Sequence, residues 1–242
     1  LSVEQEQIVI AIRQRAIHAE DKQQRRDAIL DAAEQLLQGA PERVASVAEV
    51  ATQAGLAKGT VYLYFPSKEE LLLAVHERRL GSFMRDLIDL IERQPRVDFD
   101  AVFGVMRTHL LARPLFLPLA ARCLGLMAHS LPPAVALAFK QRMAAHLERA
   151  GAGIERHFPD ALAIHGHGVV LLSRSYALTL GLWQMSAAIS GGTPRQQVGP
   201  EVPAVFAWSF PEELELALRA LWQGVLGPLV VDGATDTVEV TR

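Results

Sequence analysis

The chain has a single cysteine, Cys123, and therefore no disulfide framework of its own. It has no uninterrupted apolar run of about 18 residues, the length that a membrane-spanning helix needs. Its richest stretch, "VVLLSRSYALTLGLW" from Val169 to Trp183, is broken by Arg174 and several hydroxyls. The first residues show no basic head, apolar middle and small-residue cleavage site, so no signal peptide is expected. These absences lead to the expectation of a cytoplasmic protein with no membrane partner. An excess of positive charge is missing too. Lysine and arginine number 24, aspartate and glutamate 27, for a formal net charge of −3. Bulk charge thus gives no general attraction to nucleic acid, although an average does not reveal a local basic face. No convincing strand pattern, internal repeat or low-complexity tract is found. What the chain does have is apolar content, 50% of its 242 residues, ample for a large core.

That apolar content falls at helical spacing. Residues 1–21 mix charges with "IVIAI", with Ile8, Ile12 and Ala16 on one face, and read as a partly helical arm. In "RRDAILDAAEQLL", Ile29, Ala33, Leu36 and Leu37 recur at three and four, the mark of a helix with one buried face. Gly39 and Pro41 stop it. In "SVAEVATQAG", Ser46 and Glu49 form a capping box, and Val47, Val50, Ala51 and Ala54 make the buried side. Gly55 suits the left-handed residue that ends such a helix. "LAKGTVYLYF" then has room for two turns before Pro66, with Val61 and Phe65 on the buried side. A long helix follows from a Ser67 cap, with Leu71, Val75, Phe83, Leu87 and Ile91 at helical spacing up to "RQPR". Further apolar helices are expected near 98–112, 114–130, 133–157, 168–189 and 211–226. "GGTPRQQVGPEVP" (191–203) reads as a mobile loop, and "VVDGAT" near the end as a small hairpin turn. The fold class is all-α.

Three short helices within about 45 residues, the last two joined by a tight turn, have helix-turn-helix spacing. In such a unit the last helix lies in the DNA major groove with its early residues at base edges. Lys58, Gly59, Thr60, Tyr62 and Tyr64 offer a cation, an open backbone and three hydroxyls on that helix.

"RRDAILDAAEQLL…SVAEVATQAGLAKGTVYLYFPSKEELLLAV" resembles the DNA-binding domain of the tetracycline-repressor-like (TetR/AcrR) family of bacterial transcription regulators. The likeness covers about residues 22–76 and agrees in order and spacing. It implies a DNA-binding role for named residues. Ser46 would contact a phosphate. Lys58, Gly59 and Tyr62 would face the major groove, with Ala48 and Leu63 beside them. Thr60, Tyr64 and Lys68 would hold phosphates, and Arg25 and Arg26 would lie near the backbone or the adjacent minor groove. Positioning contacts are thereby separated from specifying ones. The chain departs from the family pattern in three places. Ala57 stands where a capping serine is common, Pro41 and Glu42 replace a glycine and an aromatic, and Leu63 replaces a polar or larger aromatic residue. Ala48 and Leu63 leave fewer polar base readers, which shifts weight to DNA shape and thymine methyl groups. From residue 22 to 68, Lys22, Arg25, Arg26, Arg43, Lys58 and Lys68 stand against Asp27, Asp31, Glu34, Glu42 and Glu49. A net of +1 predicts modest non-specific affinity.

The same resemblance implies a larger C-terminal helical domain that binds a small, largely apolar effector and forms a homodimer. The bulky candidates for its pocket are Phe103, Met106, Phe116, Met127, Phe139, Met143 and Trp183; each is also a plausible core residue. His109, Arg122, His146, Arg174 and Tyr176 could orient a ligand, and each could equally lie on a solvated face. The expected dimer helices carry Leu171, Leu178 and Leu182 on one and Leu214, Leu218, Leu221, Trp222 and Val225 on the other. A symmetric dimer presents two reading helices to a palindromic double-stranded operator. The expected organisation is an arm over 1–21, a helix-turn-helix domain over 22–68, an effector-binding and dimerisation domain over 69–227, and a tail over 228–242.

Other readings are weaker. His165 and His167 in "HGH" have no cysteine or acidic partner at ligand spacing, so no metal and no cofactor are expected. Cys123 lies in an apolar helix and reads as a small buried hydrophobe. Ser130 beside His129 lacks a third partner, and no phosphate loop, nucleophile elbow or HExxH is present, so an enzyme is not expected. The alternative to a DNA-binding repressor is a sensor of the same fold that has lost DNA binding.

Overall fold

The structure, a computed structural model, describes residues 3–39, 43–189 and 209–227, with side chains for 20–39, 43–186 and 209–227. The expected loop at 191–203, the "VVDGAT" turn and the tail over 228–242 lie outside the described residues. Among those described there are nine α-helices and no strand. They are α1 (Val3–Gly39), α2 (Val47–Gln53), α3 (Lys58–Tyr64), α4 (Lys68–Arg93), α5 (Phe99–Met106), α6 (Phe116–His129), α7 (Pro133–His157), α8 (His167–Ile189) and α9 (Phe210–Leu226), with a π-helical turn at Arg107–Leu111 after α5. No single helix among the described residues is long and apolar enough to cross a membrane. The arm is not separate from the first helix. No glycine or proline interrupts residues 3–38, so α1 runs through as one element.

The chain packs as two units. One consists of residues up to Phe83 together with Thr108–Met143, the other of Met84–Arg107 and the segment from Ala144 onward. This division by packing differs from the division by motif at residue 68. The helix-turn-helix alone is too small to bury much apolar surface, so its unit also takes in the first half of α4 and the α6 region.

In the first unit, Ile29, Leu30, Ala33 and Leu37 of α1 share a core with Val47, Val50 and Ala51 of α2 and with Val61 and Phe65. Leu36 and Ala54, expected in that core, are only half-buried. Burying each of the larger side chains among these stabilises by about 1.5–3 kcal/mol. Cross-links fix the helices in register. Gln53 of α2 donates to Gln35 of α1 at 2.8 Å, and Arg78 of α4 bridges Asp31 and Glu34 of α1 at 2.7 and 3.1 Å.

In the second unit, α8 and α9 pack face to face around Leu171, Leu214, Leu218 and Trp222. The two buried hydroxyls of α8 have partners. Ser175 donates to the Leu171 carbonyl and accepts from Trp222 Nε1 at 3.0 Å, and Thr179 donates to the Ser175 carbonyl. The "HGH" turn is also structural. Glu155 accepts from the backbone N–H groups of Gly166 and Gly168 at 2.8 and 2.9 Å and pairs with His165 Nδ1 at 3.3 Å. A Cβ on Gly168 would strike the Gly151 carbonyl oxygen, so glycine at both positions lets α7 and α8 touch.

Candidate nucleic-acid interface

The candidate interface is built by three helix starts. Ser46 caps α2 through both halves of a capping box. Its Oγ accepts the Glu49 N–H at 3.3 Å, and the Glu49 carboxylate accepts the Ser46 N–H at 2.8 Å. Arg43 also pairs with Glu49. These bonds, the Ser46 backbone first and Arg43 next, hold the Glu49 carboxyl down at about 2, so its charge persists but is matched locally. Gly55, at φ 66, turns the chain from α2 into α3. α3 begins at Lys58 with no side-chain cap, as the alanine at 57 dictates. Ser67 Oγ accepts the Glu70 N–H at 3.1 Å and so caps α4 beside Lys68.

These starts surround a concavity of about 500 Å³. Ser46 and Ala48 line it from α2, Lys58 and Tyr62 from α3, and Lys68 from α4. Five of the eleven expected DNA contacts are therefore gathered into one groove. Tyr62 is 41% exposed, with Lys58 Nζ 5.9 Å from its ring centroid, which orients the cation over the ring. The other expected residues lie outside this lining. Leu63 is 82% exposed, an apolar tip on α3. Gly59 is exposed and a Cβ there would meet open space, while Thr60 and Tyr64 are half-buried. Arg25 is exposed at the α1 end of the unit, but Arg26 stacks its guanidinium on the Phe65 ring at 5.2 Å. Part of its role is thus to cover the core of α3. Sequence reasoning missed Val44, Val47, Pro66, Ser67 and Glu69 of the lining. The "FPSKE" junction carried a usable signal, since the start of α4 follows directly on α3 and borders the same groove.

The expected effector residues fall on both units. In the first, Phe116 and Phe139 flank the buried ring of His76 at 5.6 and 6.1 Å, and His109 lies 6.0 Å from Phe83. Arg122, Met127 and Met143 are half-buried. Cys123 is fully buried, its thiol pushed up to about 12 by burial, which removes thiolate reactivity. In the second unit, Phe103 stacks on Phe99 at 5.6 Å, Phe99 meets Trp222 edge-on at 5.8 Å, and Met106 is buried. Tyr176 and Trp183 are half-buried and Arg174 is exposed. Arg174 interrupts an apolar run because it sits on the outer side of α8.

The expected dimer residues divide in the same way. Leu171, Leu214, Leu218 and Trp222 are at most 1% exposed within one chain. They form the α8–α9 seam within the chain. Leu178, Leu182, Leu221 and Val225 remain partly exposed, and among the described side chains Val170, Met185 and Leu216 are the large apolar ones that these helices leave open.

A short uncapped helix, held after a tight turn and presenting lysine, tyrosine and leucine beside a capped helix start, defines a helix-turn-helix protein with a helical body. Comparison with known proteins gives the family. Residues 29–75 match the model for bacterial regulatory proteins of the tetR family, and residues 77–228 match the tetracyclin repressor-like C-terminal domain. The chain belongs to the tetR family of regulatory proteins. A fatty acid metabolism regulator protein of Bacillus subtilis is 33% identical over 66 residues, covering 27% of this chain and about a third (34%) of that relative. Among solved structures, a putative transcriptional regulator from Pseudomonas aeruginosa PAO1 superposes with a TM-score of 0.56 at 17% identity, over 84% of this chain and 90% of that one. A possible TetR family regulator from Streptomyces coelicolor A3(2) does so at 0.54 and 18%, over 82% and 97%. A putative TetR-family regulator from Mesorhizobium loti reaches 0.52 at 17%, over 83% and 96%. At these identities the likeness is one of fold.

Proposed function

We propose that the protein is a ligand-responsive transcriptional repressor that binds a palindromic operator as a homodimer and is released by a small, largely apolar effector. The observation that carries this reading is the groove that gathers Ser46, Lys58, Tyr62 and Lys68 from three different helices. Cationic and hydroxyl groups converging on one concavity suit a phosphate backbone, and the exposed α3 tip beside it suits base edges. The B. subtilis relative supports a regulatory role. Its short match does not carry its named metabolism to this chain.

In this reading Lys68 and Ser46 hold phosphates, Lys58 and Tyr62 read bases, and Leu63 offers its methyls to thymine. Two copies spaced by one helical turn, about 34–36 Å, would read the two half-sites. The effector acts by binding better to a conformation that cannot achieve that spacing, and it shifts the equilibrium only by that differential affinity. Selection from a random duplex pool tests the first step. Wild type should enrich a palindrome, and the double variant Lys58→Ala, Tyr62→Ala should enrich it poorly or enrich another. Equal enrichment of the same sites by both proteins would sink the assignment of the readers.

A further inference from the structure

Two buried polar groups in the first unit lack full partners, and they lie on one face of one helix. His76 and Arg79 are three residues apart on α4, hence neighbours on its surface. His76 is 2% exposed, and its Nδ1 has no hydrogen-bond partner. Its ring is bounded by Phe116 and Phe139, and burial takes its pKa down from 6.5 to about 4, so it is neutral. Arg79 is 8% exposed, and its Nε also makes no hydrogen bond. Its guanidinium reaches Glu34 only at 3.5 Å. Glu34 is shared with Arg78, which sits closer to it at 3.1 Å and takes Asp31 as well. The positive charge of Arg113 is also felt at Arg79. Arg78 and Arg79 thus share Glu34, and the more buried of the two has the longer contacts.

Folding tends to exclude buried polar atoms without partners, because they lose water and gain nothing. Here two are kept one turn apart, beside two phenylalanine rings and under surplus positive charge. An acceptor group with negative charge would match both, and an apolar group attached to it would find the rings. We infer that this face of α4 anchors a ligand of one chemical class, a carboxylate with an apolar body, its head on Arg79 and His76 and its body against Phe116 and Phe139. A planar carboxylate can accept from the guanidinium and, in the Nδ1–H tautomer of His76, from the imidazole N–H together. A neutral alcohol or ester would leave the charge surplus unmatched. The site deepens the repressor reading by naming the effector class, and it rests on that reading only for its consequence at DNA. α4 carries the site and also begins at Lys68 in the groove, so one helix links the two.

The test uses the full chain and a series of straight-chain and aryl carboxylates from hexanoate to palmitate, with the matching primary alcohols and methyl esters. Calorimetry and the 15N resonance of His76 Nδ1 are the readouts. At least one carboxylate should bind about ten-fold or more tighter than its alcohol and ester. It should also shift the His76 resonance. His76→Phe, which fills the same space without a polar atom, should melt no lower than wild type and lose about ten-fold or more in carboxylate affinity. Arg79→Lys keeps the charge beside Glu34 but loses the fork, and should also bind more weakly. The site is overturned if no carboxylate in the series binds, if the alcohol binds as well as the acid, or if His76→Phe binds the acid like wild type. Carboxylate binding in a protein that enriches no DNA site would support this site while sinking the repressor reading.

Discussion

Lys58 and Lys68 border the same groove, yet their substitutions should behave differently. Lys68 stands at a helix start beside a capping serine, a position suited to a phosphate. Lys68→Ala should weaken binding to all duplexes alike and flatten the log–log salt slope by roughly 0.9. Lys58 lies over the Tyr62 ring, so its loss should relax selectivity as well as affinity. Titrations at several salt concentrations with matched and scrambled duplexes separate the two; a sequence-selective loss with unchanged slope for Lys68→Ala would refute its phosphate role. His76 carries a second expectation, about pH. Its folded pKa, about 4, lies below the ordinary 6.5, so the unfolded chain binds a proton first as pH falls. The stability associated with the neutral ring is complete above pH 6.5 and is lost on going down towards pH 4, by roughly 3 kcal/mol. Urea melts across this range should show that slope in wild type and a flatter one in His76→Phe. Residue type and spacing single out Lys58, Tyr62 and Lys68 as candidate contacts in the sequence, and the structure lines one groove with them. His76 and Arg79 stayed hidden, because their neighbours Glu34, Phe116 and Phe139 come from distant parts of the chain.

Local rules were most legible in the elements, and they leave room for improvement there. The capping box at Ser46 and Glu49, the stop at Gly55 and the buried pair Val61 and Phe65 all follow from short-range chemistry and are present in the structure. α3 has no side-chain cap, since its first flanking residue is Ala57. Ala57→Ser should supply one and stabilise the chain by about 1 kcal/mol. For a chain of this length that corresponds to a rise of roughly 2–4 °C in the melting temperature. A fall in melting temperature would mean that the α3 start has no space for the hydroxyl. The α7–α8 contact makes the opposite case. Gly168→Ala would drive a methyl into the Gly151 carbonyl, so it should destabilise by about 1–3 kcal/mol in chemical denaturation. Nothing in "HGHG" announced that contact, because the partner glycine lies on the preceding helix.

At the scale of the whole molecule, the proposed homodimer needs an apolar surface that the packed chain leaves open. α8 and α9 are apolar on more than one side, and the pattern alone did not say which side they turn to each other. The packed chain shows it: Leu171, Leu214, Leu218 and Trp222 face inward, while Val170, Met185 and Leu216 remain exposed. If the exposed set forms the dimer, the double variant Met185→Glu, Leu216→Glu should sediment as a folded monomer and bind the enriched palindrome far more weakly than wild type. A variant that stays dimeric would place the interface elsewhere. By itself the sequence determined the helices, their caps, the reading motif and the family, because helix signals and turn chemistry act over a few residues. Only the tertiary structure decided which apolar faces meet and that His76 and Arg79 lie buried with polar atoms unpaired. Those outcomes depend on contacts between residues far apart in the chain, where packing and charge pairing, rather than local spacing, set the energy.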